Sequence, residues 1–206
     1  MTYKVKEIFY TLQCEGANTG RAAVFCRFSG CNLWSGHEQH RKDAVCNFCD
    51  TDFIRGFQVR SSCELADKID NEWRIRPSRN KFVVLTGGEP GLQVDDNLIH
   101  QLKRRGFRIA IETNGTVDLA AGIDWICVSP KSGADLKVTE GDELKLVFPQ
   151  DGIDPNGFLD MRFDHFFLQP MDTPYENTFV DQTVEFCKNN PSWRLSLQIH
   201  KGIGIR

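Results

Sequence analysis

Short apolar runs recur along the chain, and each of them ends in glycine or polar residues. The runs cover residues 22–28, 81–86, 107–112, 125–129, 144–148, 166–169 and 195–199. The run Phe82-Val83-Val84-Leu85 is continuously apolar, which is typical of a strand buried on both faces of a parallel sheet. The pattern therefore predicts six or seven strands in a largely parallel sheet.

Helical periodicity and end signals mark three further segments. They begin after a possible capping box at Ser61 and Glu64, at Asp95 or Asp96, and at Thr178. Gly106 closes the second segment behind a basic last turn, and Pro191 ends the third. Strands that alternate with helices are typical of the α/β class. Because crossovers such as 131–143 are too polar for full helices, the sequence predicts an incomplete, modified (β/α)6 partial barrel with few full helices.

Polar groups follow several predicted strands at the point where each strand ends. These segments are Gly87-Gly88-Glu89-Pro90, Glu112-Thr113-Asn114-Gly115, Ser129-Pro130-Lys131 and Gln169-Pro170-Met171-Asp172. In parallel α/β sheets the ligand lies at the carboxyl ends of the strands. We therefore expect these segments to meet at one edge of the sheet and to form the site.

The composition limits the class of protein rather than its chemistry. The chain has 206 residues, is 40% hydrophobic and 26% charged, and carries a formal net charge of −3. These values predict one globular domain over residues 1–206, without the basic field that nucleic acid or membrane binding requires. Because we find neither a signal-peptide pattern nor a run of ~20 apolar residues, we expect a cytoplasmic protein.

The eight cysteines are expected to stay reduced in that compartment, so they predict no disulfide framework. Five are scattered singly and are interpreted as small buried hydrophobes. The other three form the pattern Cys31-x14-Cys46-x2-Cys49 after the first predicted strand. Spacing alone favours structural zinc, with His37 or His40 as the fourth ligand. Three thiolates without a fourth would instead hold an iron–sulfur cubane with one open iron.

The residues around the cysteines favour the cluster over zinc. Phe48 lies between the paired cysteines, and Asp50-Thr51 follow them directly. The next predicted strand ends in Gly87-Gly88-Glu89-Pro90, where adjacent glycines allow a backbone to approach a ligand closely. A carboxylate beside them is suited to an ammonium group. Taken alone, Asp50-Thr51 would be a helix or turn cap.

With these residues in place, the chain resembles the radical S-adenosylmethionine superfamily and, within it, the 7-carboxy-7-deazaguanine synthase family. The loop 32–45 expands the usual Cys-x3-Cys-x2-Cys spacing, as in some members of that family, and Cys14 stands where the family pattern has glycine. The resemblance covers nearly the whole chain and includes Phe9-Tyr10-Thr11-Leu12-Gln13-Cys14-Glu15-Gly16, Val24-Phe25-Cys26-Arg27-Phe28, Cys49-Asp50-Thr51-Asp52, the strand-end segments above and Gln198-Ile199-His200-Lys201.

The resemblance implies a reaction and its cofactors. The family converts 6-carboxy-5,6,7,8-tetrahydropterin to 7-carboxy-7-deazaguanine and ammonia, a ring contraction in the biosynthesis of 7-deazapurines such as queuosine. It uses a 4Fe–4S cluster, S-adenosyl-L-methionine and Mg²⁺. The resemblance also implies a one-electron donor such as flavodoxin or ferredoxin, and a homodimer.

The resemblance assigns site residues position by position. Cys31, Cys46 and Cys49 would ligate the cluster, and Thr51 would bind Mg²⁺ with Asp50 behind it. S-adenosylmethionine would contact Phe48, Asp50, Gly88, Glu89, Glu112, Ser129, Pro130, Lys131, Gln169, Pro170, Met171 and Asp172. The substrate would contact Leu12, Gln13, Cys14, Glu15, Arg27, Thr86 and Arg206.

The chemistry of three of these side chains supports a polar small-molecule substrate. A carboxylate such as Glu15 accepts from the N–H pair of a pterin edge, and the amide of Gln13 both donates and accepts. Arg27 interrupts an apolar run, so we expect it to face a cavity and to bind the substrate carboxylate. Two alternatives stay open, which are a radical activase that acts on a partner protein and a zinc-stabilised binding module without catalysis.

Overall fold

The structure, a computed structural model, describes residues 2–75, 79–172 and 178–206. Within these residues the chain forms one nine-stranded sheet. Its strands are β1 (Tyr3–Leu12), β2 (Ala22–Phe28), β3 (Phe57–Val59), β4 (Phe82–Gly87), β5 (Arg108–Thr113), β6 (Trp125–Val128), β7 (Glu140–Phe148), β8 (Arg162–Pro170) and β9 (Arg194–Leu195).

The sheet is open, with β3 at one edge and β9 at the other. Its order is β3-β1-β2-β4-β5-β6-β7-β8-β9. β1 pairs antiparallel with both of its neighbours, and every pair from β2 to β9 is parallel. The carboxyl ends of seven parallel strands therefore meet at one edge of the sheet. The predicted class, an open α/β fold with few helices, is confirmed.

Four α-helices accompany the described strands. They are α1 (Ser62–Glu72), α2 (Asp96–Arg104), α3 (Thr178–Asn189) and α4 (Ile199–Ile203). Ser61 caps α1 by accepting from the Glu64 backbone N–H at 3.2 Å, and Asp95 caps α2 by accepting from the Leu98 N–H at 2.9 Å. Both predicted helix starts are thus confirmed. No described helix has the length and apolar character to cross a membrane.

Strand β1 was not among the predicted runs because its alternation breaks in the middle. Tyr3 and Val5 are buried in the core, whereas the pairing register with β2 shifts between Val5 and Glu7. This irregularity changes which positions point to the core, so that Ile8 and Tyr10 pack there instead. The polar and aromatic side chains that alternate with Ile8 and Tyr10, beginning with Glu7, therefore line the opposite face of the sheet.

The predicted last strand, 195–199, is largely wrong. Strand β9 stops at Leu195, and helix α4 begins at Ile199. The alternation of apolar residues is real, but Leu195 and Leu197 are exposed while Ser196 is buried. Ser196 accepts from the Gly16 N–H at 2.9 Å, which ties this segment to the residues that follow β1. The apolar side chains therefore face outward rather than into the core.

The two faces of the sheet have different contents. On one face, β2, β4 and β5 contribute Val24, Leu85 and Ile109 to a core closed by α1 and α2. The other face holds a small apolar cluster that includes Phe82 and Val84. Beyond this cluster, toward the carboxyl ends of the strands, the same face becomes polar and opens into a cavity.

Candidate active site

A cavity of about 480 Å³ lies at the carboxyl ends of the strands, and residues from strands, loops and α4 form its wall. Twenty of the residues assigned from sequence line it. They are Leu12, Gln13, Cys14, Glu15, Arg27, Cys31, Cys46, Phe48, Cys49, Asp50, Thr51, Thr86, Gly88, Glu112, Ser129, Lys131, Gln169, Pro170, Asp172 and Arg206. The strand-end segments therefore meet at one edge, as their positions along the chain predict.

The three clustered cysteines open onto this cavity and form no disulfide. The thiols of Cys46 and Cys49 share a hydrogen bond, which is the main reason that the pKa of Cys49 is lowered to about 6 and that of Cys46 is raised. Cys31 approaches from the loop after β2, where its Sγ accepts from the Leu33 N–H at 3.4 Å. Three thiols that converge on one cavity fit an iron–sulfur cubane, because each thiolate binds a different iron.

The zinc alternative lacks its fourth ligand. His37 and His40 pack edge to face at 5.9 Å between ring centroids, and neither lines the cavity with the cysteines. His40 Nδ1 lies 2.8 Å from Ser35 Oγ, so its ring is engaged outside the cavity. Within the described residues, no group of three His, Cys, Asp or Glu side chains is placed to hold a single metal ion. The geometry does not support a tetrahedral zinc site.

The adjacent glycines after β4 hold the Cys31 loop close to the sheet. A Cβ on Gly88 would lie 2.0 Å from the Gly30 carbonyl oxygen and 3.1 Å from Cys31 Cβ. Gly87 has a φ of +133°, and a Cβ there would lie 2.2 Å from the Phe28 oxygen. Glycine is therefore required at both positions for the loop after β4 to pack against the loop after β2.

Glu89 differs from its predicted role. Its side chain is fully buried and does not line the cavity. The carboxylate accepts from the Thr113 hydroxyl and from the Asn114 and Gly91 N–H groups, at 2.7, 2.7 and 2.8 Å. Burial raises the pKa of Glu89, and these donors oppose that shift. In this structure Glu89 therefore joins the ends of β4 and β5, and its contact with the ammonium group of S-adenosylmethionine stays a prediction.

Pro130 and Met171 also lie off the cavity wall. The Pro130 carbonyl accepts from Gln150 Nε2 at 3.2 Å, and the Met171 N–H donates to the Phe148 carbonyl at 2.8 Å. Both residues contribute backbone contacts that connect neighbouring strand ends. Their predicted direct contacts with S-adenosylmethionine are not supported by this geometry.

A hydrogen-bonded group of side chains forms the floor of the cavity. Lys145 Nζ lies 2.6 Å from Glu15 Oε2 and 3.5 Å from Glu112 Oε1. Glu112 also accepts from Gln13 Nε2 at 2.8 Å and from Thr86 Oγ1 at 3.2 Å. Residues that were assigned to substrate and to cofactor are thus directly connected. We call Gln13, Glu15, Thr86, Glu112 and Lys145 the cavity floor.

Burial and charge act in opposite directions on the cavity floor. Burial alone would raise the pKa of Glu15, but the ammonium of Lys145 outweighs it and leaves the pKa lowered. For Lys145, burial lowers the pKa, yet the surrounding carboxylates leave it well above its ordinary value. Both groups are therefore ionised at neutral pH. Glu143, two residues before Lys145 on β7, has a pKa raised chiefly by burial.

Arg27 lines the cavity from β2, as predicted from its position in an apolar run. Its Nε donates to Glu7 Oε1 at 2.9 Å. The guanidinium of Arg206 pairs with the other oxygen of Glu7 and lies over the Phe9 ring, with 4.5 Å to the centroid. Two arginines therefore share one carboxylate at the side of the cavity, which gives this side a net positive charge.

The mouth of the cavity is bridged by a lysine of α4. Lys201 Nζ lies 2.8 Å from Asp50 Oδ2 and 2.6 Å from Asp172 Oδ2. Gln198 Nε2 adds a contact to Asp50 at 3.2 Å, and Thr51 Oγ1 lies 3.4 Å from Asp50 Oδ1. The loop that carries the cysteines, the end of β8 and helix α4 are thereby joined.

Lys131 lies near the paired cysteines. Its Nζ donates to the backbone oxygen and to the Oγ of Ser129, both at 2.6 Å. Burial lowers the pKa of Lys131, while Cys46, Cys49 and Glu89 oppose the shift. A cation is therefore available beside the thiols.

Cys14 occupies its position without backbone strain. Its φ does not lie in the left-handed region, and the glycine two residues later, Gly16, takes the positive φ of +62° instead. The backbone of Cys14 accepts from the Ile199 N–H at 3.3 Å, and its N–H donates to Gln13 Oε1 at 2.8 Å. A side chain is tolerated here because the backbone contacts do not depend on glycine.

Several cavity residues escaped the sequence analysis. Lys145 interrupts the apolar run 144–148 in the same way that Arg27 interrupts its own run, so the same reasoning could have found it. His200 and Lys201 directly follow the predicted strand 195–199, and the structure places them on helix α4. Asn114 donates from Nδ2 to Cys31 Sγ at 3.9 Å, a contact that no sequence pattern indicated.

The loop after β2 brings three thiols into the cavity to which the parallel strands contribute their polar ends, an arrangement that fits the radical S-adenosylmethionine class of enzymes. The chain is 54% identical over 211 residues to the 7-carboxy-7-deazaguanine synthase of Bradyrhizobium diazoefficiens, and 53% identical over 210 residues to that of Caulobacter vibrioides. Both alignments cover 100% of this chain and 100% of the relative. The chain therefore belongs to the 7-carboxy-7-deazaguanine synthase family, and the predicted family is confirmed.

The fold is also similar to that of a solved structure. The crystal structure of QueE from Escherichia coli superposes with a TM-score of 0.66 at 24% sequence identity, covering 96% of this chain and 94% of that chain. This likeness shows the shared fold. No family model matches the sequence.

Proposed function

We propose that the chain converts 6-carboxy-5,6,7,8-tetrahydropterin to 7-carboxy-7-deazaguanine with release of ammonia, a step of 7-deazapurine (queuosine) biosynthesis. The observation that carries this proposal is the cavity itself. Three cysteine thiols and a polar floor suited to a pterin belong to the same cavity. The full length of the chain matches enzymes named 7-carboxy-7-deazaguanine synthase. An activase needs an open groove for a polypeptide, and no observation here favours that alternative.

The cluster and S-adenosylmethionine would be held by groups from several strand ends. Cys31, Cys46 and Cys49 would ligate three irons, and Gly88 would leave its backbone accessible to the methionine end of the cofactor. Lys131 would pair with the methionine carboxylate. When bound, the two groups supply the one-electron chemistry that starts the ring contraction.

Other cavity residues would hold the rest of the cofactor. The adenine would lie against Phe48, and Glu112 and Ser129 would accept from the ribose hydroxyls. All three line the same cavity as the cysteines. Gln169, Pro170 and Asp172 close the same wall at the end of β8.

The substrate would lie on the cavity floor. The Glu15 carboxylate is ionised and mostly buried, and it can accept hydrogen bonds from the N–H groups of a pterin edge. Arg27 would present its guanidinium to the substrate carboxylate while Glu7 fixes its orientation. Leu12, Cys14, Thr86 and Arg206 complete the wall around this position.

A direct assay tests this proposal. Anaerobically reconstituted protein is incubated with S-adenosylmethionine, a one-electron reductant and the tetrahydropterin, and the product is measured by mass spectrometry. We expect conversion by the wild-type protein and by Cys63→Ala, which removes an exposed cysteine of α1. Cys46→Ala should lose both activity and the cluster EPR signal that shifts with S-adenosylmethionine. Cluster-loaded protein that leaves the pterin unchanged would contradict the proposal.

The third proposed cofactor is Mg²⁺, with Thr51 as its ligand. Thr51 lines the cavity and can offer its hydroxyl to Mg²⁺, which keeps several waters and accepts few protein ligands. Thr51→Ala is expected to abolish stimulation of turnover by Mg²⁺ while the cluster spectrum stays unchanged. Thr51→Ser keeps the hydroxyl and serves as the control. Full magnesium dependence in Thr51→Ala would exclude this assignment.

The remaining features are the partners and the location. The reaction requires a one-electron donor such as flavodoxin or ferredoxin, and we place the enzyme in the cytoplasm. We also propose a homodimer, which is supported by exposed apolar side chains along the carboxyl-terminal segment, among them Leu197, Ile199 and Ile203. Light scattering on the holoenzyme would report its mass.

A further inference from the structure

Lys145 is the buried centre of the cavity floor. Its side chain is 7% exposed and extends from β7 between the two acidic residues that are assigned to different ligands. Glu15 would hold the pterin and Glu112 the ribose of S-adenosylmethionine. Because both carboxylates lie within ion-pair distance of one ammonium nitrogen, they are also only several ångströms from each other.

The contacts around Lys145 close into a ring. Gln13 donates from Nε2 to Glu112, and its Oε1 accepts from the Glu15 N–H at 3.2 Å. The Glu112 carboxylate is therefore connected to Glu15 twice, to its carboxylate through the lysine and to its backbone through the amide of Gln13.

The floor carries more acidic groups than basic ones. Strand pairing aligns Glu112 with Cys127 and Cys127 with Glu143, so a third carboxylate, which is buried, lies beside the pair. The other titratable groups that face this region are Cys14, Cys127, His200 on α4 and Lys131 after β6. Lys145 is the cation in contact with both Glu15 and Glu112.

We propose that Lys145 is a positioning residue that holds Glu15 next to Glu112 and keeps Glu15 ionised there, so that the two carboxylates can accept hydrogen bonds from substrate and from cofactor at the same time. This inference rests on the proposed function. Without the ammonium group, burial and the neighbouring carboxylate would favour a protonated Glu15. A protonated carboxyl presents a donor where the ligand also has a donor, and binding is weakened.

The proposal predicts an effect that depends on pH. In Lys145→Gln, neutral pH leaves a proton on Glu15, and raising the pH removes it. The ratio of the dissociation constants of variant and wild type for the tetrahydropterin should be roughly tenfold or more at neutral pH, because a hydrogen bond to a charged group is lost. That ratio should fall as the pH rises. Lys145→Arg keeps the charge that His200 and Cys127 face, so it controls for the protonation of these two groups.

The experiment measures binding without turnover. Isothermal titration of the anaerobic holoenzyme with its cluster oxidised gives the affinity for S-adenosylmethionine and, separately, for the tetrahydropterin. Lys145→Arg keeps the charge and should give a ratio that does not vary with pH. In a Glu15→Gln background, Lys145→Gln should no longer change the pH dependence of pterin binding.

The outcomes separate this inference from the proposed function. If the wild-type holoenzyme does not bind the pterin, the proposed function fails. If it does bind and the ratio for Lys145→Gln is one at every pH, the positioning role is overturned. A reduced affinity that is the same at every pH also overturns it, because a purely structural defect would behave in that way. Should Lys145→Gln not take up the cluster, Lys145→Met is measured by the same criteria.

Discussion

Two lysines each bridge a pair of carboxylates in the same cavity, and they differ in exposure. Lys145 on the cavity floor contacts Glu15 and Glu112, and its side chain is 7% exposed. Lys201 at the mouth contacts Asp50 and Asp172, and its side chain is 41% exposed. The distances to the nearer carboxylate are the same, at 2.6 Å. Geometry alone would therefore give the two bridges equal weight.

Solvent makes the difference between the two bridges. Water and salt screen the charges at the mouth, where the attraction is offset by the entropy lost in ordering long side chains. On the floor, little water replaces a lost partner, so an unpaired carboxylate bears the full cost of its desolvation. The ion pairs of Lys145 therefore hold the cavity floor in place, whereas the ion pairs of Lys201 at the mouth exchange easily with solvent.

The largest expected effect is that of Lys145→Met on stability. The substitution leaves Glu15 and Glu112 without their cation, and we expect a loss of about 3–5 kcal/mol in the free energy of unfolding. Urea denaturation of the anaerobic holoenzyme measures it. A loss below about 1 kcal/mol, the value typical of exposed pairs, would show that the floor is as well solvated as the mouth.

Acidification should reduce the difference in unfolding free energy between wild type and Lys145→Met. The lowered pKa of Glu15 means that its stabilising contribution is present above its unfolded pKa of about 4.3 and is lost as the pH falls through the folded value. Lys145 has a raised pKa, so its contribution persists up to about pH 10. The stability gap between wild type and Lys145→Met should thus be widest near neutral pH and should narrow once the pH falls below about 4. A gap that widens on acidification would contradict the sign of the Glu15 shift.

The smallest expected effect is that of Lys201→Met. Because the substitution matches Lys145→Met and differs in location only, it serves as its control. We expect a change in unfolding free energy of about 0–1 kcal/mol, reduced further by high salt. The same urea denaturation detects it. A loss comparable to that of Lys145→Met would mean that α4 buries its charges in solution and that the two regions do not differ.

Much of the sheet could be predicted because its physical signals are local. Continuous apolar runs such as 82–85 report burial on both faces wherever they occur, and Ser61 and Asp95 cap helices through neighbours three residues away. β1 could not be predicted in this way, since its irregular pairing hides the alternation until β2 lies beside it. The carboxyl-terminal segment has a strand-like alternation, but its apolar side faces outward because Ser196 bonds inward to Gly16.

The sequence by itself determined the family, the open parallel α/β sheet, and the set of strand ends that carry the chemistry. These properties follow from local composition and from motifs whose residues are adjacent along the chain. Tertiary structure decided how that chemistry is distributed. It placed Glu89 in contacts that join two strands, and it brought Lys145 to Glu15 across 130 residues of sequence and also to Glu112. Long-range placement of charge depends on strand register and burial, which no local pattern encodes.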